Sequence, residues 1–300
     1  MEETRLPHYG GQALIEGVLM RGKNFVVACM RNPAGEIVSE HEKLGGIYKS
    51  SLSRLPFMRG LVILWDSLSL GMKYITLSAN VQMNEEEEKI EGGGLVLTLF
   101  ISLALAIGLF FVLPAFLAEL LSRWVSLTPF TVNLLEGLMR LLLMIGYIWV
   151  IGKTGDIARV FSYHGAEHKT INAFEDGIEI TVENVMRYPL AHPRCGTSFL
   201  LTLVVMSVLV FSLLGHLPLW IKILTRIVLI PFLAMIAYEL IRWMGDQMEN
   251  PLVRLITSPN LALQRLTTRE PDTGMIEVAI SSFKQLLELE NKVATEQEKE

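Results

Sequence analysis

Four long apolar segments, separated by polar stretches, organise the chain. They cover residues 95–117, 134–151, 198–214 and 219–243. Each approaches the ~20 residues that an α-helix needs to cross the ~30 Å hydrocarbon core of a bilayer. The pattern therefore predicts a mainly α-helical membrane protein with about four transmembrane helices. Pro114 and Pro231 fall within two of these spans, where they are expected to kink the helices.

The polar N-terminal part, residues 1–91, predicts a small β-structure followed by a helix. Segments 25–30 and 36–39 flank the turn "NPAG", which indicates a β-hairpin. The preceding glycine-rich stretch "YGGQALIEGVLMRGK" adds one more short strand. From Pro56 onward, apolar residues recur at helical spacing and predict an amphipathic helix. Such a helix lies either on the membrane surface or on the protein's own β-layer.

The chain becomes polar again after the last apolar segment. Residues 276–289 carry a broad apolar stripe at helical spacing, which predicts a soluble helix docked on the N-terminal part. The end, "ATEQEKE", is expected to be disordered. The predicted domains are a cytoplasmic β/α region at 1–91, a four-span membrane domain at 92–243 with a cytoplasmic histidine loop at 153–197, and a cytoplasmic tail at 244–300.

Composition and charge support a multi-pass membrane protein. The chain is 51% hydrophobic and 19% charged, with a mean hydropathy of +0.41. A net charge of -5 without a clustered basic face argues against a nucleic-acid partner. Basic residues concentrate in the 153–197 loop and in the chain that flanks the first and last apolar segments. The positive-inside rule therefore predicts that both termini lie in the cytoplasm. The expected location is the inner (cell) membrane, with the lipid bilayer as the principal partner.

The motif "HGAEH" within the 153–197 loop suggests a metal site. If residues 157–174 are helical, His164 and His168 lie one turn apart on one face and can bind one zinc ion or another divalent metal. Glu167 then projects beside the metal, where it serves as a general base. The alternative is a pair of hydrogen-bonded surface histidines without a metal.

Four other residues are candidates to complete the metal ligand set. His192 and Cys195 lie in "AHPRCGTSF", directly before an apolar segment that Thr197 or Ser198 is placed to cap. Glu175 follows the histidine motif on nearly the same helix face, as either a third ligand or a carboxylate that orients an imidazole. Glu239 is a carboxylate inside an apolar segment, which is a functional candidate by default, although Arg242 is spaced to pair with it.

Several long motifs resemble one bacterial family. "GGQALIEGVLMRG", "YHGAEHKTINAFE", "HPRCGTSFLL" and "EPD…IEVAI" are similar to the YqhQ-like membrane proteins, a family of unknown function that is commonly labelled a predicted metal-dependent enzyme. The resemblance runs over nearly the whole chain. It implies that the following motif positions matter: His164, Glu167, His168, Glu175, His192, Arg194 and Cys195.

The sequence leaves three functional hypotheses. The first is a metal-dependent hydrolase at the cytoplasmic membrane face, acting on a membrane-embedded peptide or a lipid-linked molecule. The second is a non-catalytic scaffold or assembly protein that forms a homo-oligomer through its N-terminal part and tail. The third is a small transporter. It is the least favoured, because the four spans contain few polar residues.

Overall fold

A computed structural model describes residues 9–45, 55–83, 92–215 and 217–297. The described chain is mainly helical and has one small β-sheet near its N-terminus. The sheet contains β1 (Gly10–Leu14), β2 (Gly17–Arg21), β3 (Phe25–Arg31) and β4 (Ile37–Lys43). The helices are α1 (Met58–Val81), α2 (Gly92–Ile107), α3 (Leu113–Ser122), α4 (Pro129–Ile151), α5 (Gly155–Glu175), α6 (Val182–Met186), α7 (Gly196–Ser212), α8 (Leu219–Asp246), α9 (Pro251–Thr267) and α10 (Thr273–Gln297).

The sheet is an antiparallel meander in the order β1-β2-β3-β4. The predicted hairpin is confirmed, and Asn32 closes its turn by accepting a 2.9 Å hydrogen bond from the backbone N–H of Glu36. The glycine-rich stretch forms two strands where the sequence predicts one. Its turn places Glu16 in the left-handed region at φ 51°, and the dipeptide Ile15-Glu16 lacks the glycine or asparagine by which such turns are recognised.

Both faces of the central strands are buried. One face packs against α5 and α10, with Val18 and Val27 beside Phe283. The opposite face carries Leu19 and Val26, which pack against Leu70 and Tyr74 of α1. The amphipathic helix α1 therefore docks on the protein's own β-layer.

Three described helical segments are long and apolar enough to span a membrane: Gly92–Ser122, Pro129–Ile151 and Trp220–Asp246. They match three of the predicted spans. The remaining predicted span, 198–214, lies in α7, which is apolar but has 17 residues. At 1.5 Å per residue α7 is only ~25 Å long. A total of four transmembrane helices therefore remains a prediction.

Two features of the C-terminal part differ from the sequence expectation. Helix α9 was not predicted, because Pro259 lies inside it and interrupts the pattern that identifies helices. Pro251 occupies the first helical turn, and Asn250 caps the helix by accepting a hydrogen bond from the N–H of Leu252 at 2.9 Å. Helix α10 also continues to Gln297, so residues 294–297, which were expected to be disordered, are helical; residues 298–300 lie outside the described residues.

Candidate metal centre

The histidine motif lies in the second half of α5, which is packed closely against two other segments. A Cβ atom added at Gly165 would lie 2.2 Å from the carbonyl oxygen of Arg269 and 2.8 Å from the side chain of Leu190. A glycine is therefore needed where the chain beyond α9 crosses α5. This close approach brings backbone carbonyls from both neighbouring segments to the histidines.

The side chains of His164, His168 and Cys195 converge at one point. The Nε2 atom of His164 lies 3.2 Å from the Sγ atom of Cys195. One ligand atom from each of the three residues lies within 4.8 Å of the others. Cys195 and His168 are buried, and His164 is partly buried. The structure thus joins three of the candidate metal ligands into one cluster.

Cys195 reaches this cluster because it caps α7. Its backbone is extended, and its Sγ atom accepts a 3.4 Å hydrogen bond from the N–H of Thr197. The sequence pattern placed Thr197 or Ser198 at this capping position, so the helix begins slightly earlier than expected. A thiolate is favoured at the N-terminus of a helix, where backbone N–H groups and the helix dipole stabilise negative charge.

Backbone carbonyls fix which nitrogen of each imidazole can bind a metal. The Nδ1 atom of His164 lies 2.9 Å from the carbonyl oxygen of Thr267, and that of His168 lies 2.5 Å from the carbonyl oxygen of Leu190. A carbonyl oxygen can only accept, so both Nδ1 atoms must carry hydrogen. The Nε2 atoms are then the ones available to a metal, in the arrangement typical of metal-binding histidines.

The cluster fits a tetrahedral zinc ion. Ideal Zn–N and Zn–S bond lengths place the ligand atoms ~3.4–3.6 Å apart. The 3.2 Å between Nε2 of His164 and Sγ of Cys195 is close to this spacing, and all three ligand atoms lie within 4.8 Å of one another. The Nε2 atom of His168 is also buried and makes no hydrogen bond to the described residues. Buried polar atoms rarely lack a partner, and a metal ion at the cluster centre would supply one.

Without a metal, the pKa values of Cys195 and His164 are shifted by their contact with each other. Burial raises the pKa of the Cys195 thiol, but the neighbouring imidazoles of His164 and His168 outweigh it and hold this pKa well below its usual value. Burial lowers the pKa of His164, but the contact with Cys195 outweighs that effect and raises it to about 9. These shifts favour a thiolate at Cys195 beside a protonated imidazole, and metal binding at such a pair would release the imidazole proton.

Glu167 lies beside the three ligands. Its Oε2 atom is 3.8 Å from the Nε2 atoms of both His164 and His168, and its side chain is 7% exposed. A Cβ atom added at Gly11 of β1 would lie 2.7 Å from Cγ of Glu167 and 2.9 Å from its Oε1 atom. The glycine-rich N-terminal motif thus forms one wall of the site, a contact that connects two distant sequence motifs.

Substituting Gly11 by alanine is expected to displace Glu167. The added methyl group has no space between Glu167 and the backbone of Leu19, and overpacking of this kind costs about 1–3 kcal/mol. Thermal unfolding of the purified protein should show a lower Tm for Gly11→Ala. Gly10→Ala is the matched control, because a Cβ atom there meets nothing within 4 Å. Equal Tm values for the two variants would contradict this packing.

His192 and Glu175 form a neighbouring pair outside the three-ligand cluster. The Nε2 atom of His192 lies 3.5 Å from Oε2 of Glu175, and the rings of His192 and His168 are 5.6 Å apart. Glu175 also forms an ion pair with Arg194. Burial raises the pKa of Glu175, but His192 and Arg194 outweigh it and lower the pKa. This pair borders the cluster and connects α5 to the segment before α7.

Glu239 is not part of the three-ligand cluster. Its carboxylate accepts hydrogen bonds from Nε of Arg59 at 2.6 Å and from the N–H of Phe57 at 3.0 Å. These contacts tie the start of α1 to α8. The structure thus gives Glu239 a role in joining the sheet-bound helix to the apolar helices.

Two contributors to the site were missed because they belong to α9. Thr267 supplies the carbonyl group that orients His164. Gln264 donates from its amide nitrogen to the carbonyl of His192 and to Oγ of Ser198, both at 2.7 Å. The sequence could not indicate Thr267, because any residue type can supply a backbone carbonyl. It could not indicate Gln264 either, because α9 was not predicted.

Comparison with known proteins identifies the family. Residues 55–289 match the family described as "Protein of unknown function (DUF1385)". The chain is also 36% identical, over 300 residues, to "Uncharacterized protein YqhQ" of Bacillus subtilis (strain 168), a match that covers 95% of this chain and 93% of the relative. No solved structure matches significantly. The chain therefore belongs to this family, as its motifs predicted.

Proposed function

We propose that this protein is a multi-pass membrane hydrolase that uses one zinc ion at the cytoplasmic membrane face. The observation that carries the proposal is the convergence of His164, His168 and Cys195, with both Nδ1 atoms already bonded to backbone carbonyls. Three protein ligands with an open fourth position are typical of catalytic zinc sites, whereas structural sites have four.

Glu167 is the group that handles the proton in this proposal. A zinc ion in such a site lowers the pKa of a water molecule at the open position to about 7. Glu167 lies 3.8 Å from both imidazole Nε2 atoms, so its carboxylate borders the position that the metal and its water would occupy. It would accept the proton of the attacking water and return it to the leaving group.

The surroundings of the site suggest the kind of substrate. The cluster lies where α5 follows the candidate span α4 and where the apolar helix α7 begins. The positive-inside rule favours the cytoplasm for this end of the helices. A substrate that presents its hydrolysable bond at the membrane surface, such as a membrane-embedded peptide or a lipid-linked molecule, fits this position.

Cobalt substitution tests the proposed ligand set directly. Protein loaded with Co²⁺ in place of zinc is expected to show a thiolate-to-cobalt charge-transfer absorption, because Cys195 is a ligand. Cys195→Ser should lose this band, while Cys29→Ser, at the chain's other cysteine in the β3 core, should keep it. Wild-type protein that binds cobalt without the band would overturn the assignment of Cys195.

A non-catalytic scaffold remains the competing proposal for function. The exposed apolar side chains of Trp65 and Leu68 on α1 are consistent with contact to another chain or to lipid. A scaffold that contains a structural metal should bind zinc yet function without Glu167. The consequence of replacing Glu167 therefore separates the two proposals.

A further inference from the structure

A second polar site lies between apolar helices α4 and α8, near the ends opposite the histidine cluster. Glu136 of α4 is 1% exposed and contacts three cations. Its Oε1 atom accepts hydrogen bonds from Arg140 at 2.7 Å and lies 2.6 Å from a guanidinium nitrogen of Arg226. Its Oε2 atom lies 2.8 Å from Nζ of Lys222.

The charges at this site do not balance. One carboxylate faces three cations, so two positive charges are in excess among the described side chains of the cluster. Glu136, Arg140 and Arg226 are all buried. Uncompensated charge buried within apolar helices is costly and usually marks a functional site.

Arg140 has a structural role that the other two cations lack among the described contacts. Its Nε atom donates a 2.8 Å hydrogen bond to the carbonyl oxygen of Phe110. That carbonyl loses its usual helical donor because residue 114, four positions later, is a proline. Arg140 therefore supplies the missing hydrogen-bond donor in the π-helical segment Gly108–Val112, which lies between α2 and α3.

Arg226 and Lys222, in contrast, line a small cavity. Asn133, Phe211 and Gly215 form other parts of its wall. Arg226 is 7% exposed, and its Nε atom is buried with no hydrogen-bond partner among the described residues. A buried guanidinium N–H without a protein acceptor needs an oxygen from outside the chain, supplied by water or by a ligand.

We propose that Arg226 and Lys222 bind a phosphate group, either the headgroup of a phospholipid or a free inorganic phosphate, with one phosphate oxygen in the cavity, which has room for about one water-sized atom. Guanidinium and ammonium groups together favour phosphate, which offers several charged oxygens to the unused N–H groups of Arg226 and Lys222. Glu136 contacts both cations and competes with phosphate for them. Glu136 and Arg226 each lie seven residues after the start of their helix, ~10 Å along it, within reach of the headgroup layer.

The two sources of phosphate are distinguished by two measurements on the full chain. Native mass spectrometry of protein purified in mild detergent reports retained phospholipid. Calorimetric titration of delipidated protein with inorganic phosphate reports the free anion. Arg226→Gln and Lys222→Gln should each weaken the observed binding about tenfold, the value of one charge-assisted hydrogen bond. Lys153→Gln, which removes an exposed cation stacked on Trp149 at the other end of α4, should leave it unchanged.

A third variant, Glu136→Gln, is expected to strengthen binding, an effect that misfolding cannot produce. Glu136→Gln removes the one carboxylate and leaves three cations, so phosphate should bind more tightly than in wild type. If Arg226→Gln and Lys222→Gln retain less phospholipid than wild type, the ligand is a lipid headgroup. If they instead bind inorganic phosphate more weakly than wild type, the ligand is the free anion. If wild type binds neither, or if Glu136→Gln also weakens binding, the cluster is a structural ion network and the proposal is wrong.

Discussion

Replacing His164 or His168 by alanine is expected to remove bound zinc from the purified protein. Each substitution removes one of three ligands. Loss of a residue that only hydrogen-bonds to a metal ligand already weakens metal binding about 10–100-fold, so loss of a ligand should weaken it at least as much. Zinc measured by elemental analysis should fall to below about a tenth of the wild-type amount. The reason is geometric, since the remaining imidazole and Cys195 cannot close a tetrahedral site alone.

His41→Ala is the matched control for this experiment. His41 lies on the outer strand β4 and is exposed, so its loss removes an imidazole without touching the cluster. The control should keep its zinc. A chelator should also lower the Tm of wild type and of His41→Ala but not that of the two ligand variants, because bound metal stabilises only a protein that holds it. Unchanged zinc in His164→Ala would contradict the assignment.

The second large effect is expected at Glu167. Glu167→Gln keeps the side-chain shape but can no longer accept a proton. If Glu167 is the general base, hydrolysis falls about 10²–10⁴-fold while zinc remains bound. Complementation of a strain that lacks the protein provides the readout without a known substrate. The variant should fail to complement although its zinc content and Tm match wild type.

A matched substitution separates loss of the base from local disruption. Glu175→Gln alters another carboxylate of α5, one that pairs with Arg194 and lies outside the cluster. It should complement far better than Glu167→Gln. If Glu167→Gln complements fully, the zinc site is structural and the scaffold proposal becomes the better account.

The sequence predicts much of the site because the motif is local. His164, Glu167 and His168 share one helix, and helical spacing alone places them on one face. Cys195 is recognisable by its residue type and by its position before an apolar helix. All three clustered ligands were therefore among the candidates that the sequence supplied.

The remaining parts of the site depend on contacts between distant segments. The carbonyls of Leu190 and Thr267 orient the imidazoles, but any residue type can supply a carbonyl. The packing of Gly11 against Glu167 joins β1 to α5, two segments far apart in sequence. Glu175, His192 and Glu239 are competent ligand types whose observed partners could be found only in three dimensions.

The same distinction holds for the fold. Apolar segments and the "NPAG" hairpin are visible because periodicity and turn residues are local signals. The turn at Ile15-Glu16 lacks such a signal. Helix α9 has a start signal at Asn250-Pro251, but Pro259 interrupts its interior pattern. Glu16 accepts hydrogen bonds from Arg159 and Tyr163 of α5, which fix this turn against the helix that carries the histidines.

The zinc content of wild-type protein is the most direct test of a zinc centre at His164, His168 and Cys195. The full chain, purified in detergent after expression in zinc-supplemented medium, should contain about one zinc ion per chain, as expected for a single three-ligand site. Less than about a tenth of an equivalent, with no uptake on zinc addition, would contradict the proposed metal centre.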